Sequence, residues 1–205
     1  FGLSDSVEIA VTPGPATKLT VSGPAAATAG DAFDVTVSAR DQYDNIAPDY
    51  RGVVRFTTND PATDPAAVVP NDYTFTAADA GTHTFVGGVT LYTASASALR
   101  VTVTDLTPIA APTAFIDVSI GGGAATSLVL TGPASAVAGT PFEVTATVYD
   151  ANGNIASGYA GTVTLTTPAV PNRPAAVLPA AYTFTAADGG RHVFTGADRV
   201  TLFAA

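Results

Sequence analysis

The sequence predicts an all-β chain built as two tandem antiparallel β-sandwiches, the second incomplete. Three observations lead there. The stretch Asp41-Gln42-Tyr43-Asp44-Asn45-Ile46-Ala47-Pro48-Asp49-Tyr50 returns as Asp150-Ala151-Asn152-Gly153-Asn154-Ile155-Ala156-Ser157-Gly158-Tyr159. The offset, 150 − 41 = 109, holds over most of the 205 residues and divides the chain into two copies. Apolar residues alternate with polar ones in short runs parted by Gly, Pro, Asn and Asp, which is the period of strands, and no helical periodicity competes.

Residues 1–15 read as a leader. Val7, Ile9 and Val11 alternate with Glu8 and Ala10 as in one strand, and Pro13-Gly14-Pro15 ends it. Because 116 − 7 = 109, these residues share the register of Ile116, Val118 and Ile120, so the leader has the character of a closing strand. Copy one is expected over residues 16–123. Leu19 and Val21 open it; Phe33, Val35, Val37 and Ala39 then point one way and Asp34, Thr36, Ser38 and Arg40 the other. Val54 and Phe56, Tyr73 and Phe75, Phe85, Val89 and Leu91, Leu99 to Val103, and Phe115 to Ile120 continue the alternation, for seven short strands. The junction falls at about residues 120–125, where Gly121-Gly122-Gly123 breaks the pattern.

Copy two is expected over residues 124–205, with Phe142, Val144, Val163, Leu165, Phe184 and Phe194 at the matching inward places. Val200 and Leu202 sit at an offset of 200 − 89 = 111, a two-residue loop insertion at Ala197-Asp198-Arg199. Ala205 matches Ala94, so copy two lacks counterparts of the last two strands.

Composition narrows the function. Hydrophobic residues make up 47% and charged residues 12%, which suits packed cores rather than disorder. There is no Cys, hence no disulfide framework and no thiolate metal site. A net charge of −9 with Lys18 as the single Lys offers neither phosphate neutralisation nor a polybasic patch, so no nucleic acid partner is expected. No apolar run approaches the length of a membrane span, and no membrane insertion is expected. Few Lys, no Cys and many Thr fit a secreted bacterial protein.

The run Val35-Thr36-Val37-Ser38-Ala39-Arg40-Asp41-Gln42-Tyr43-Asp44-Asn45, with Val144 to Asn154, resembles the bacterial Ig-like repeats of invasin- and intimin-type surface proteins. In those repeats a strand ends in Asp and runs into a Gly-Asn turn. Asp150-Ala151-Asn152-Gly153-Asn154 fits closely, whereas Asp44 replaces the Gly in copy one. Tyr73 to Asp79 and Tyr182 to Asp188 are also similar to segments of Ig-like repeats in large secreted bacterial proteins. The resemblance implies tandem immunoglobulin-like sandwiches and an extracellular or cell-surface setting. It brings no catalytic residues.

Few residues suggest chemistry. Asp41, Asp44 and Asn45, and Asp150, Asn152 and Asn154, offer oxygens at the spacing of some calcium loops, but the later bidentate Glu is missing. A turn is the stronger reading, since Asn and Gly supply positive φ and side-chain-to-backbone bonds; no metal and no cofactor are expected. His83 and His192 follow Asp79 and Asp188 at matched places, which suits a structural hydrogen bond, and no Ser or Thr stands out as a nucleophile. Tyr50 and Tyr159 each precede a Gly by two residues and read as rings packed at the sandwich end. The many Thr are able to carry O-linked sugars without a sequence motif.

The expected function is a non-catalytic structural module of a bacterial stalk, adhesin or filament; an enzyme is not expected. Self-association is expected through the leader: Val7, Ile9 and Val11 of one molecule would complete copy two of the next by β-strand addition, giving head-to-tail contacts. The alternative is a carbohydrate-binding or spacer domain attached to a secreted polysaccharide-degrading enzyme. That would need an exposed aromatic strip, for which Tyr43, Tyr50, Tyr92, Tyr149 and Tyr159 are the available rings, and there is no Trp. A glycan or host-surface ligand is not identifiable from the residues.

Overall fold

The computed structural model describes residues 6–107, 109–168 and 174–203. Among them the chain is all-β, with three single-turn 3-10 helices and no α-helix. Alternating β-branched residues dictate the strands, because a branched Cβ packs well on a pleated surface and poorly in a helix.

Copy one folds as two sheets over one core. The first sheet orders β1 (Lys18–Ser22), β3 (Ala32–Arg40) and β6 (Thr82–Thr90) as β1-β3-β6, all antiparallel. The second contains β2 (Ala26–Thr28), β4 (Val53–Thr58), β5 (Tyr73–Thr74), β7 (Leu99–Asp105) and β8 (Thr113–Gly121), in the order β2-β8-β7-β4-β5. Their inner faces meet: Leu19, Val35 and Val37 from one sheet lie in the same cluster as Val54, Phe56, Val101, Val103 and Val118 from the other. The outward set of β3 is more polar, although Ser38 is buried, where its hydroxyl accepts from the Thr82 hydroxyl at 3.0 Å.

Copy two repeats this plan with fewer strands. It contains β9 (Ser127–Thr131), β10 (Val144–Tyr149), β11 (Thr162–Val163), β12 (Tyr182–Thr183) and β13 (Arg191–Phe194). Four of the five start 109 residues after their equivalent: β9 after β1 (127 − 18), β11 after β4 (162 − 53), β12 after β5 (182 − 73) and β13 after β6 (191 − 82); β10 starts three residues later in the repeat than β3 (144 − 32 = 112). One sheet is β13-β10-β9 and the other β11-β12. The core is correspondingly small: Ala146, Val148, Ala156, Val163, Phe184 and Phe194. The two-residue insertion forms the 3-10 turn Gly196–Asp198.

The structure corrects two expectations, the number of strands in copy one and the leader. Among the described residues copy one has eight strands, not seven; the extra one, β2, exists because β8 lies beside it and pairs with it in parallel. In copy two the aligned residues 135–137 form no strand, and Val137 is 74% exposed. The leader is not a strand: residues 6–17 join no ladder, Val7, Ile9 and Val11 are exposed, and residues 1–5 lie outside the described residues. A single strand with no neighbour leaves its backbone groups to water and gains nothing from an extended geometry.

Loss of neighbours also shows in β9. Leu19 of β1 is 5% exposed and packs near β7 and β8, whereas its equivalent Leu128 is 46% exposed. Replacing Phe75, 1% exposed at the centre of the copy-one core, by Ala is expected to cost about 3–5 kcal/mol in urea unfolding. Val86→Ala, at an exposed site, should stay within about 0.5 kcal/mol. Similar losses for the two variants would mean that the core is elsewhere.

Candidate functional site

The strands β3 and β10 are each followed directly by a buried aspartate, Asp41 and Asp150. Asp41 Oδ1 accepts from the backbone N–H groups of Tyr43 at 2.9 Å and Asn45 at 3.0 Å. Its Oδ2 accepts from Gly14 N at 2.9 Å and from the Asn45 side-chain amide at 3.0 Å. Asp150 does the same with Asn152 N, Asn154 N, Gly123 N and Asn154 Nδ2, at 2.8–2.9 Å. Gly14 and Gly123 are themselves a repeat pair, 123 − 14 = 109, so the chain entering each copy is fastened at the same point.

These bonds leave their mark on ionisation. The Asn45 amide and the Gly14 N–H, with Tyr43 and Asn45 N–H, lower the Asp41 pKa to about 2, against burial that raises it. At Asp150 burial works to raise the pKa, but the Asn154 amide and the N–H groups of Gly123, Asn154 and Asn152 outweigh it and hold the pKa below the ordinary carboxylate value. The calcium candidates are thus arranged as turns: in each loop the Asp carboxylate is filled by N–H donors, whose partial positive charge points where a cation would sit. Asp44 takes φ +70° where copy two has Gly153 at +79°, and its carboxylate pairs with Lys18 at 2.7 Å on the surface. Among the described residues no three His, Asp or Glu side chains gather as a metal site.

Asn154 has a second role. Its Nδ2 also donates to the Tyr92 carbonyl at 2.8 Å, and its Oδ1 accepts from Ala94 N at 2.8 Å. Both are backbone groups of copy one. Asn152 lies over Gly30, where an added Cβ would stand 3.1 Å from its Nδ2 and 3.8 Å from the Tyr92 ring. Asp60 Oδ2 fixes the receiving strand end by accepting from Tyr92 N at 2.7 Å. The connecting backbone passes so close that a side chain at Gly122 would strike the Ile155 carbonyl. A cleft of about 220 Å³ between Pro61, Thr63, Tyr92 and the two asparagines marks the edge of this joint.

The Asp–His pairs are structural in form. Asp79 accepts from Thr76 N at 2.6 Å, Thr76 Oγ1 at 2.8 Å and the Tyr73 hydroxyl at 3.1 Å, and meets His83 Nδ1 at 2.6 Å. His83 stacks on Tyr73 at 4.1 Å, and His192 on Tyr182 at 3.5 Å. Burial works to raise the Asp79 pKa, but the hydrogen bonds from Thr76, His83 and Tyr73 hold it well below the usual range. Asp188 is held low chiefly by the Thr185 N–H.

The tyrosines do not form one strip. Tyr50 is buried edge-on to Phe75 at 5.0 Å, and Gly52 is required beneath its hydroxyl because any Cβ there would collide with it. Tyr43 is 76% exposed, while Tyr92 belongs to the joint. Sequence reasoning identified the asparagines but missed their partners; the available signal was the glycines Gly30, Gly122 and Gly123, where the backbones of the two copies crowd.

No protein-family model matches the chain, and no curated protein matches it. Among solved structures it is similar to a protein from Corynebacterium diphtheriae described as membrane anchored, at 17% identity and a TM-score of 0.37. The match covers 66% of this chain and 31% of that one, so the chain spans about a third of that neighbour's length. A likeness of this degree carries no argument about activity.

The carboxylates predict an acid response. The Asp41 pKa is lower folded, at about 2, than in an unfolded chain, at about 3.9. The stability it contributes is therefore complete above about pH 4 and is lost as pH falls towards about 2. Asp79, Asp150 and Asp188 act in the same direction. The thermal midpoint should drop steeply over that window, and Asp41→Asn should be less stable than the parent at about pH 6 yet lose less on acidification. Parallel curves for parent and variant would remove Asp41 from this role.

Proposed function

We propose that the chain is a non-catalytic structural module of a bacterial extracellular stalk, adhesin or filament, in which each sandwich sets the direction of the next. The supporting observation is the direct grip of Asn154 on Tyr92 and Ala94. A flexible linker would leave these groups to water; here a side chain of one copy reads the backbone of the other. The extracellular setting rests on the cysteine-free, acidic composition and on the resemblance to surface repeats. The buried Tyr50 and the dispersed remaining rings disfavour the carbohydrate-binding alternative.

The assembly mode within this reading is strand addition. Val7, Ile9 and Val11 are exposed in the register of β8, and Leu128, Leu130 and Val137 of copy two are exposed where β8 would cover them. Donated to another molecule, the leader gains a ladder and covers apolar surface.

Two measurements test these statements. Residual dipolar couplings of the intact chain should fit one alignment tensor for both copies, and Asn154→Ala should make the two tensors diverge while each copy stays folded. Independent tensors in the parent would overturn the rigid-module reading. Deleting residues 1–12 should leave copy one folded and weaken concentration-dependent association; association of the truncated chain as tight as that of the parent would exclude strand donation by the leader.

A further inference from the structure

The joint between the copies has two halves, and each half occurs a second time in the chain without its counterpart. The gripping half in copy two is Gly123, Asp150, Asn152 and Asn154. Its repeat in copy one is Gly14, Asp41, Tyr43 and Asn45, with the same four bonds onto the aspartate. There Asn45 is exposed; its Nδ2 reaches only Asp41, and its Oδ1 accepts no hydrogen bond among the described residues. These are the valences that Asn154 spends on Tyr92 and Ala94. The loop is already braced, since Lys18 pairs with Asp44 at 2.7 Å and Arg40 Nη1 donates to the Asp44 carbonyl at 2.6 Å.

The receiving half in copy one is Gly30 beside the Tyr92 ring, with Gly30 N donating to the Leu91 carbonyl at 2.8 Å. Copy two repeats it: Gly139 N donates to the Leu202 carbonyl at 2.8 Å, and the Phe203 ring lies 3.8 Å from the place of a Gly139 Cβ. Both glycines have positive φ, +86° and +79°. Among the described residues a Cβ at Gly139 would meet only Phe203 within 4 Å, whereas at Gly30 it would also meet Asn152. Among the described residues, nothing fills over Gly139 the place that Asn152 fills over Gly30.

We infer that the Gly14–Asp41–Tyr43–Asn45 face of copy one is a docking surface for the Gly139–Phe203 end of copy two in a second copy of this chain. The inference rests on the structural-module reading and gives that module its partner. Asn45 would take the Phe203 carbonyl as Asn154 takes that of Tyr92, and Tyr43, 76% exposed, would replace Asn152 and set an aromatic ring across Gly139 from Phe203. The two faces differ and lie on different copies, so the contact is head to tail and does not close on itself.

Sedimentation velocity of the intact chain from about 1 µM to about 1 mM, the span of weak interfaces, measures the association. The sedimentation coefficient should rise with concentration, and amide shifts on dilution should centre on residues 43–45 and 139. Asn45→Ala should weaken association about tenfold. Because Asn45 also bonds Asp41, Tyr43→Ala serves as the second variant: its side chain is solvent-exposed, the fold should be unchanged, and association should again weaken about tenfold. A chain that stays monomeric throughout overturns the inference. So does association that survives both variants but disappears on deletion of residues 6–12, which would leave strand donation standing alone. Neither result touches the Asn154 joint, whose test is intramolecular.

Discussion

A carboxylate held by four N–H groups fixes the geometry at the entrance of each copy. Asp41 and Asp150 are 2% and 4% exposed, and an ionised group so placed persists only because every part of it is hydrogen bonded. The bonds tie together three things that are otherwise independent: the end of β3 or β10, the turn that follows, and the incoming chain at Gly14 or Gly123. With these fixed, the asparagine four residues on has one orientation left, and in copy two that orientation meets Tyr92 and Ala94.

Much of the fold was legible because the repeat supplies its own control. Val35, Val37, Phe56 and Phe75 are buried, as their alternation required, and the starts of β1, β4, β5 and β6 recur at an offset of 109. What was not legible depended on partners far along the chain. β2 is three small residues whose only reason to be extended is β8, over 90 residues away, and the leader has the right alternation but no neighbour. Periodicity reports which face a strand would bury, not whether anything is there to bury it.

The candidate site divided along the same line. That Asp41 and Asp150 serve turns follows from local chemistry, and the sequence contains it. The grip of Asn154 does not, because its partners are a carbonyl and an N–H, groups that every residue carries. Side-chain identity at Tyr92 and Ala94 is irrelevant to those two bonds, so no motif marks them. Only Gly30, Gly122 and Gly123, where the backbones crowd, betray the contact, and glycines are common enough in turns to hide it.

The pairing of β2 with β8 has a mechanical consequence. Thr17 to Ala29 enters copy one beside the segment that leaves it: Lys18 bridges Ala111 in parallel, and residues 26–28 run parallel to 119–121. A pull that separates the two ends of this copy draws the paired segments past one another along their length. Their hydrogen bonds then bear the load together, in shear, instead of opening one after another as at the end of a hairpin. Resistance to such a pull is a matter of unfolding rate rather than of equilibrium stability. Pulled in this direction, copy one would come apart more slowly than its equilibrium stability alone suggests.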